Sequence, residues 1–223
     1  MAAQERTRLM KQPTGPEQIH AFNGRNEEHG VARSGFVRDL RFVVLAQVRY
    51  NRSMILTRDI ILKEINAGNI AISPFDESLL GAASYDLALG SAIRVFTGQK
   101  EAFPVRDDAD FAHITELIEM TEEGYTMQPG QALLGVTNEK ITLAPHIAGW
   151  LEGRSRFARV GLMVHISSPF MQPGIDSHQV LEIANLAPTP LTIFPGTKIC
   201  QFVFEYCEGS ATYQGKFTGQ ITP

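Results

Sequence analysis

From Met54 onward the chain is a succession of short apolar runs punctuated by Gly and Pro. The first run differs from the rest. Thr57-Arg58-Asp59 leads into Ile60, Ile61, Leu62 and Ile65, and Gly68 follows. Ile61, Leu62 and Ile65 share one stripe at helical spacing, which predicts a helix. Thr57 suits the N-cap and Gly68 the C-terminal stop. The later runs are Ala92–Phe96, Gly124–Met127, Ala132–Thr137, Gly149–Leu151, Gly161–Ile166, Val180–Ala184, Leu191–Phe194 and Ile199–Glu205. Turn signals such as Gln128-Pro129-Gly130, Gln172-Pro173-Gly174 and Phe194-Pro195-Gly196 separate them. Many short strands at this spacing predict an all-β sandwich or barrel. Phe111–Leu117, inside the ambiguous stretch Asp107–Glu119, reads as a helical turn or two within an insertion.

Residues 1–53 break the pattern. The first ~35 are polar, rich in Gly, Gln, Asn and Arg, and lack an apolar period, so disorder is expected there. Residues 1–53 hold nine Lys/Arg and five Asp/Glu, a balance of +4, against −8 for residues 54–223. Three explanations compete: a non-native extension from an upstream start, a transit peptide, or a regulatory arm. The patterned segment beginning at Met54 favours the first. Glu17, Glu27 and Glu28 weigh against a transit peptide, a class poor in acidic residues.

Composition narrows the class. In 223 residues, 43% are apolar and 20% charged, enough for a core. A net charge of −4 argues against a nucleic-acid-binding surface over the whole molecule. No apolar stretch approaches the ~20 residues of a membrane-spanning helix. A soluble, cytoplasmic protein without membrane partners is expected. The two cysteines, Cys200 and Cys207, allow neither a disulfide framework nor a Cys-rich zinc site. Their spacing also lacks the Pro-Cys-x-x-Cys of zinc deaminases.

Three segments could carry chemistry. Glu152-Gly153-Arg154-Ser155-Arg156-Phe157-Ala158-Arg159 gathers three arginines and a serine beside a glycine. Arginine suits bidentate contact with phosphate oxygens, yet a solvated basic turn reads the same way. In Gln179-Val180-Leu181-Glu182-Ile183-Ala184-Asn185, strand alternation puts Glu182 on the face opposite Leu181 and Ile183. In a pocket it could shuttle protons; on a half-exposed strand it is a surface glutamate. The terminal run Tyr213-Gln214-Gly215-Lys216-Phe217-Thr218-Gly219-Gln220 is either a lid over a ligand or a frayed end.

Together these residues resemble the dCTP deaminase family of the trimeric dUTPase superfamily. Six motifs occur in the family's order over about 170 residues, from Met54 to Pro223. They are Ser84-Tyr85-Asp86-Leu87-Ala88-Leu89-Gly90; Met127-Gln128-Pro129-Gly130 with Thr137-Asn138-Glu139; and Gly153-Arg154-Ser155 through Gly161-Leu162 and His165. Gln179–Asn185, Phe194-Pro195-Gly196 with Ile199-Cys200-Gln201, and Lys216-Phe217-Thr218-Gly219-Gln220 complete the set.

The resemblance implies a mainly β fold, a distorted barrel or sandwich of the dUTPase-like type with one N-terminal helix. It implies hydrolytic deamination of dCTP to dUTP and ammonia in pyrimidine deoxynucleotide synthesis. No zinc takes part, and Mg²⁺ enters only with the triphosphate. Glu182 would be the proton shuttle. Ser155 and Arg159 would hold the water and the amine, helped by the backbone carbonyl at Ser168. Arg154, Arg156, Lys216 and Gln220 would face the phosphates and the closing tail, with Gln172, Gln201 and Tyr213 in the substrate shell. Asp86 and His165 would be structural. A homotrimer with shared active sites is implied. Three positions depart from the family pattern: Arg156 replaces a small hydroxyl residue, Phe170 an arginine, and Gln172 an aspartate. The last weighs toward dUTP as product. A dUTP diphosphatase, a bifunctional enzyme yielding dUMP, and a non-catalytic nucleotide-binding module remain the alternatives.

Overall fold

The computed structural model describes residues 54–223. The expectations for residues 1–53 lie outside the described residues. The predicted helix is α1, Arg58–Asn66. Thr57 occupies the N-cap with extended backbone, but its hydroxyl bonds the Asp59 carboxylate rather than a backbone N–H. At the other end Gly68 takes φ 75°, and Gly68 and Asn69 return their N–H groups to Ile65 and Glu64. That left-handed closure is what glycine supplies at least cost. Ile61 is buried, and Ile60, Leu62 and Ile65 pack against the core from its margin.

Eleven strands follow. They are β1 (Ile70–Ser73), β2 (Tyr85–Phe96), β3 (Thr115–Glu119), β4 (Tyr125–Met127), β5 (Ala132–Leu143) and β6 (Ile147–Gly153). After the short helix α2 (Ser155–Ala158) come β7 (Leu162–Val164), β8 (Phe170–Met171), β9 (Asp176–Asn185), β10 (Leu191–Ile193) and β11 (Lys198–Tyr206). Every predicted apolar run falls in or overlaps one of them. Five strands, β2, β5, β6, β9 and β11, are longer than the predicted runs; β2 and β5 each extend over 12 residues, with register shifts inside their pairings. Phe111–His113 is a single 3-10 turn, and Thr115–Glu119 is a strand rather than more helix. The basic segment predicted as a turn carries α2.

The larger sheet is antiparallel in the order β7-β9-β5-β2-β11-β6-β8, with β1 also on β5 and β3 also on β2. β10 and β4 form a separate two-stranded ribbon. The sheet curls, because Gly153 at the end of β6 lies against the Val164 carbonyl at the end of β7. Inside the curl sit Tyr85, Leu87, Leu89, Ile93, Leu133, Leu181, Ile183, Phe202 and Phe204, all closed to solvent. Burying each such aliphatic or Phe side chain contributes about 1.5–3 kcal/mol, the main source of stability. No helix among the described residues is long and apolar enough to cross a membrane.

One polar cluster ties α1 to this sheet. Glu64, only 7% exposed, accepts the Tyr206 hydroxyl at 2.6 Å and the Asn69 amide at 2.7 Å. The Tyr206 bond, followed by that of Asn69, holds the Glu64 carboxyl below its ordinary range in spite of burial. Burial and the same carboxylate push the Tyr206 phenol up to about 12. A depressed carboxyl stabilises the fold above its unfolded pKa of about 4.3, and that contribution disappears as pH falls through the folded value. Tyr206→Phe is expected to cost about 1.5–3 kcal/mol at pH 7. It is also expected to shrink the stability difference between pH 7 and pH 4. Urea melts of both proteins at the two pH values check this; parallel losses at both would contradict it.

Candidate active site

Glu182 sits in β9, and the alternation holds: Leu181 and Ile183 face the core while Glu182 points to the other face. That face opens on a cavity of about 460 Å³. Five predicted site residues line it: Glu182, Ser168, Gln172, Tyr213 and Gln220. Apolar walls come from Phe111, Phe170 and Phe217, each from a different part of the chain. Phe170, the departure noted above, packs its ring at a tilt of 54° against Trp150, with centroids 4.9 Å apart. Phe217, rather than its neighbour Lys216, reaches the cavity, and the Lys216 ammonium lies over the Phe217 ring at 5.8 Å.

The terminal run is not frayed. Tyr213 donates its N–H to the Pro173 carbonyl at 3.0 Å, and the Gln220 carbonyl accepts the His178 N–H at 3.1 Å. Pro223 is buried, and its carbonyl accepts Arg94 Nε at 2.6 Å. The tail therefore runs along the cavity's rim, held at both ends of the motif.

Around Glu182 the structure places two residues that sequence motifs did not assign to chemistry. Ser167 donates its N–H to Oε2 at 2.5 Å, and its Oγ lies 3.0 and 3.1 Å from the two carboxylate oxygens. His165, expected to be structural, instead faces the acid. Its Nδ1 accepts the Glu182 N–H at 3.1 Å and its Nε2 stands 3.7 Å from Oε2. The cause is register: Val164 pairs with Ile183, so the next residue of β7's continuation meets Glu182. Burial lowers the proton affinity of His165; the Glu182 charge and the Ser168 carbonyl work against that shift.

The remaining predicted residues apart from Lys216 belong to a second cluster around α2, away from the cavity lining. Arg154, at the N-cap of α2, pairs with Asp86 at 2.8 Å and donates to the Lys198 carbonyl at 2.8 Å. Asp86, expected to be structural, thus holds a candidate phosphate ligand. Burial raises its carboxyl, and Arg154, Arg156 and Lys198 pull it back down. Gln201 accepts the Ser84 hydroxyl at 2.7 Å and donates to the Gly153 carbonyl at 3.2 Å. Ser155 opens α2 and Arg159 caps it. None of Arg154, Ser155, Arg156, Arg159, Gln201 and Lys216 lines the Glu182 cavity of the single chain. Arg154, Arg156 and Lys216, expected at the phosphates, and Arg159, expected at the water, are accordingly not brought together in that cavity. Among the described residues, no three His, Cys, Asp or Glu side chains come together as a metal-ligating group.

Known proteins share this chain's sequence and architecture. A protein from Nocardioides named "dCTP deaminase, dUMP-forming" is 38% identical over 179 residues, covering 76% of this chain and 93% of its own. A Mycolicibacterium vanbaalenii protein of the same name is 36% identical over 180 residues, again covering 76% and 93%. The crystal structure of 2'-deoxycytidine 5'-triphosphate deaminase from Agrobacterium tumefaciens matches 69% of this chain and 48% of that one. It does so with a TM-score of 0.54 and 18% identity, a likeness of fold. The family model described as dCTP deaminase-like matches residues 55–207, which takes in β9 with Glu182, α2 with its arginines and nearly all of the curled sheet. The chain belongs to the dCTP deaminase-like family.

Proposed function

We propose that the protein is a hydrolase that deaminates dCTP and carries the product on to dUMP. The observation that supports this most is Glu182, among the described residues the one carboxylate on the wall of a cavity otherwise lined by apolar, imidazole, amide and hydroxyl groups. In this reading Glu182 takes a proton from water as the oxygen attacks C4 of cytosine. It then returns protons to N3 and to the amine, which leaves as ammonia. A second water cleaves between the α- and β-phosphates, so that dCTP and two waters yield dUMP, ammonia and pyrophosphate. Ser155 and Arg159 hold the water and stabilise developing charge, and the Ser168 carbonyl orients it. Arg154, Arg156, Lys216 and Gln220 take the phosphates, while Gln172, Gln201 and Tyr213 complete the substrate shell. Mg²⁺ belongs to the substrate, as the counter-ion of its triphosphate.

The separation of the two clusters supports a homotrimer. With α2 of one subunit completing the cavity of the next, Arg154–Arg159 and Glu182 would meet on one nucleotide. Closed three-fold assembly provides that geometry.

The relatives' names favour dUMP; Gln172, standing where the resemblance places an aspartate, favours release of dUTP. Chromatography of the products decides between them. We expect dUMP and pyrophosphate in equal amounts with ammonia. Accumulation of dUTP without dUMP would leave the deaminase reading standing and remove the second hydrolysis. Calorimetric binding of dCTP with no turnover would replace both by a binding module.

A further inference from the structure

The group that contacts Glu182 most is Ser167, which none of the six motifs marks. We propose that Ser167, seconded by His165, is a positioning residue for deamination: a clamp that holds the Glu182 carboxylate in its working orientation. The proposal rests on the reading of Glu182 as the proton shuttle.

A glutamate on a strand face has three rotatable side-chain bonds, and a base that swings loses most of its advantage. Ser167 removes that freedom with two donors, its N–H on Oε2 and its Oγ within 3.1 Å of both oxygens. A hydroxyl has one proton and can rotate. It can therefore bond whichever carboxylate oxygen bears the charge as protons pass to different ring atoms. The serine loses and gains no proton in this role; it follows the charge.

His165 supplies the third donor. Its Nδ1 accepts the Glu182 N–H, so in the neutral ring the proton sits on Nε2. That Nε2 is buried and has no hydrogen-bond partner among the described residues, and the side chain is only 3% exposed. A buried donor without an acceptor is costly. Nε2 stands 3.7 Å from Glu182 Oε2, slightly beyond bonding range, with the Ser168 carbonyl also acting on the ring. Burial favours the neutral ring, consistent with a donor rather than a second charge.

The experiment measures kcat and KM for dCTP, by ammonia release, in the full chain. Ser167 is exposed, so truncating it leaves no cavity and the fold is expected to persist, as a thermal melt will register. Ser167→Ala is expected to lower kcat by about 10–100-fold with KM within about twofold, the signature of an interaction that serves the reacting state. Ser167→Thr, which keeps the hydroxyl, is expected to recover most of kcat. Wild-type kcat in Ser167→Ala, or equal damage from Ala and Thr, would overturn the clamp while leaving the deaminase reading intact. Absence of deamination in the wild type would overturn that reading and the clamp with it.

Discussion

Glu182→Gln is expected to lower the rate of dCTP deamination by about 10²–10⁴-fold, the usual contribution of a positioned acid–base group. The substitution is close to isosteric. Its amide oxygen can still accept from Ser167, and Leu181 and Ile183 on either side keep β9 in register. Fold and nucleotide affinity should therefore survive. The protein carries its own probe for the second point. Trp150 is the only tryptophan, and its ring packs at a tilt against that of Phe170, which lines the cavity. Quenching of its fluorescence by dCTP should be retained in the variant while turnover is lost. A variant that deaminates at the wild-type rate would remove Glu182 from the chemistry. The same variant tests the shared site. Arg159→Ala, changed in the other cluster, should also be inactive, and co-refolding the two is expected to return part of the activity. In a mixed assembly some cavities combine an intact Glu182 with an intact Arg159. No recovery at any ratio would argue that each chain works alone.

Glu182 was legible in the sequence because its signal is local. An acid between two large aliphatics in a strand run points away from the core whatever the rest of the fold does. The helix α1 was legible for the same reason, through its stripe and Gly68. What escaped was set by partners far away in the chain. Ser167 and His165 matter because β7 pairs with β9, and nothing between Gly161 and Ser168 announces that pairing. The partner of Asp86 also escaped, because only the fold of β2 brings it to Arg154. Among the strands, β3 was missed because its residues are largely exposed, and β1 and β8 because four and two residues are too short to carry a period. The four-residue α2 is shorter than any periodic signal. The tail was ambiguous for another reason: Gly-rich ends usually fray, and the bonds to Pro173, His178 and Arg94 say otherwise.

Gly153→Ala is expected to damage stability and catalysis together. A Cβ at this position would lie 2.2 Å from the Val164 carbonyl oxygen. The clash is with backbone, so no side-chain rotation relieves it. Either β6 or β7 must move, and each carries part of the site. β6 runs directly into Arg154 and Ser155, and β7 into His165 and Ser167. Overpacking of this kind costs about 1–3 kcal/mol. In a domain of this size that corresponds to a fall in Tm of roughly 3–10 °C. The catalytic loss should exceed what the lost stability explains, since a shift near 1 Å at a reacting group costs about 10²-fold. Measured well below its own Tm, the variant should still show reduced kcat/KM. Gly98→Ala is the control, because a Cβ there meets nothing within 4 Å; it should stay within about 0.5 kcal/mol of wild type. If Gly153→Ala melts and turns over like Gly98→Ala, β6 and β7 are not in contact at this point. The glycine in the Gly-Arg-Ser motif would then owe its place to something other than the space it leaves for β7.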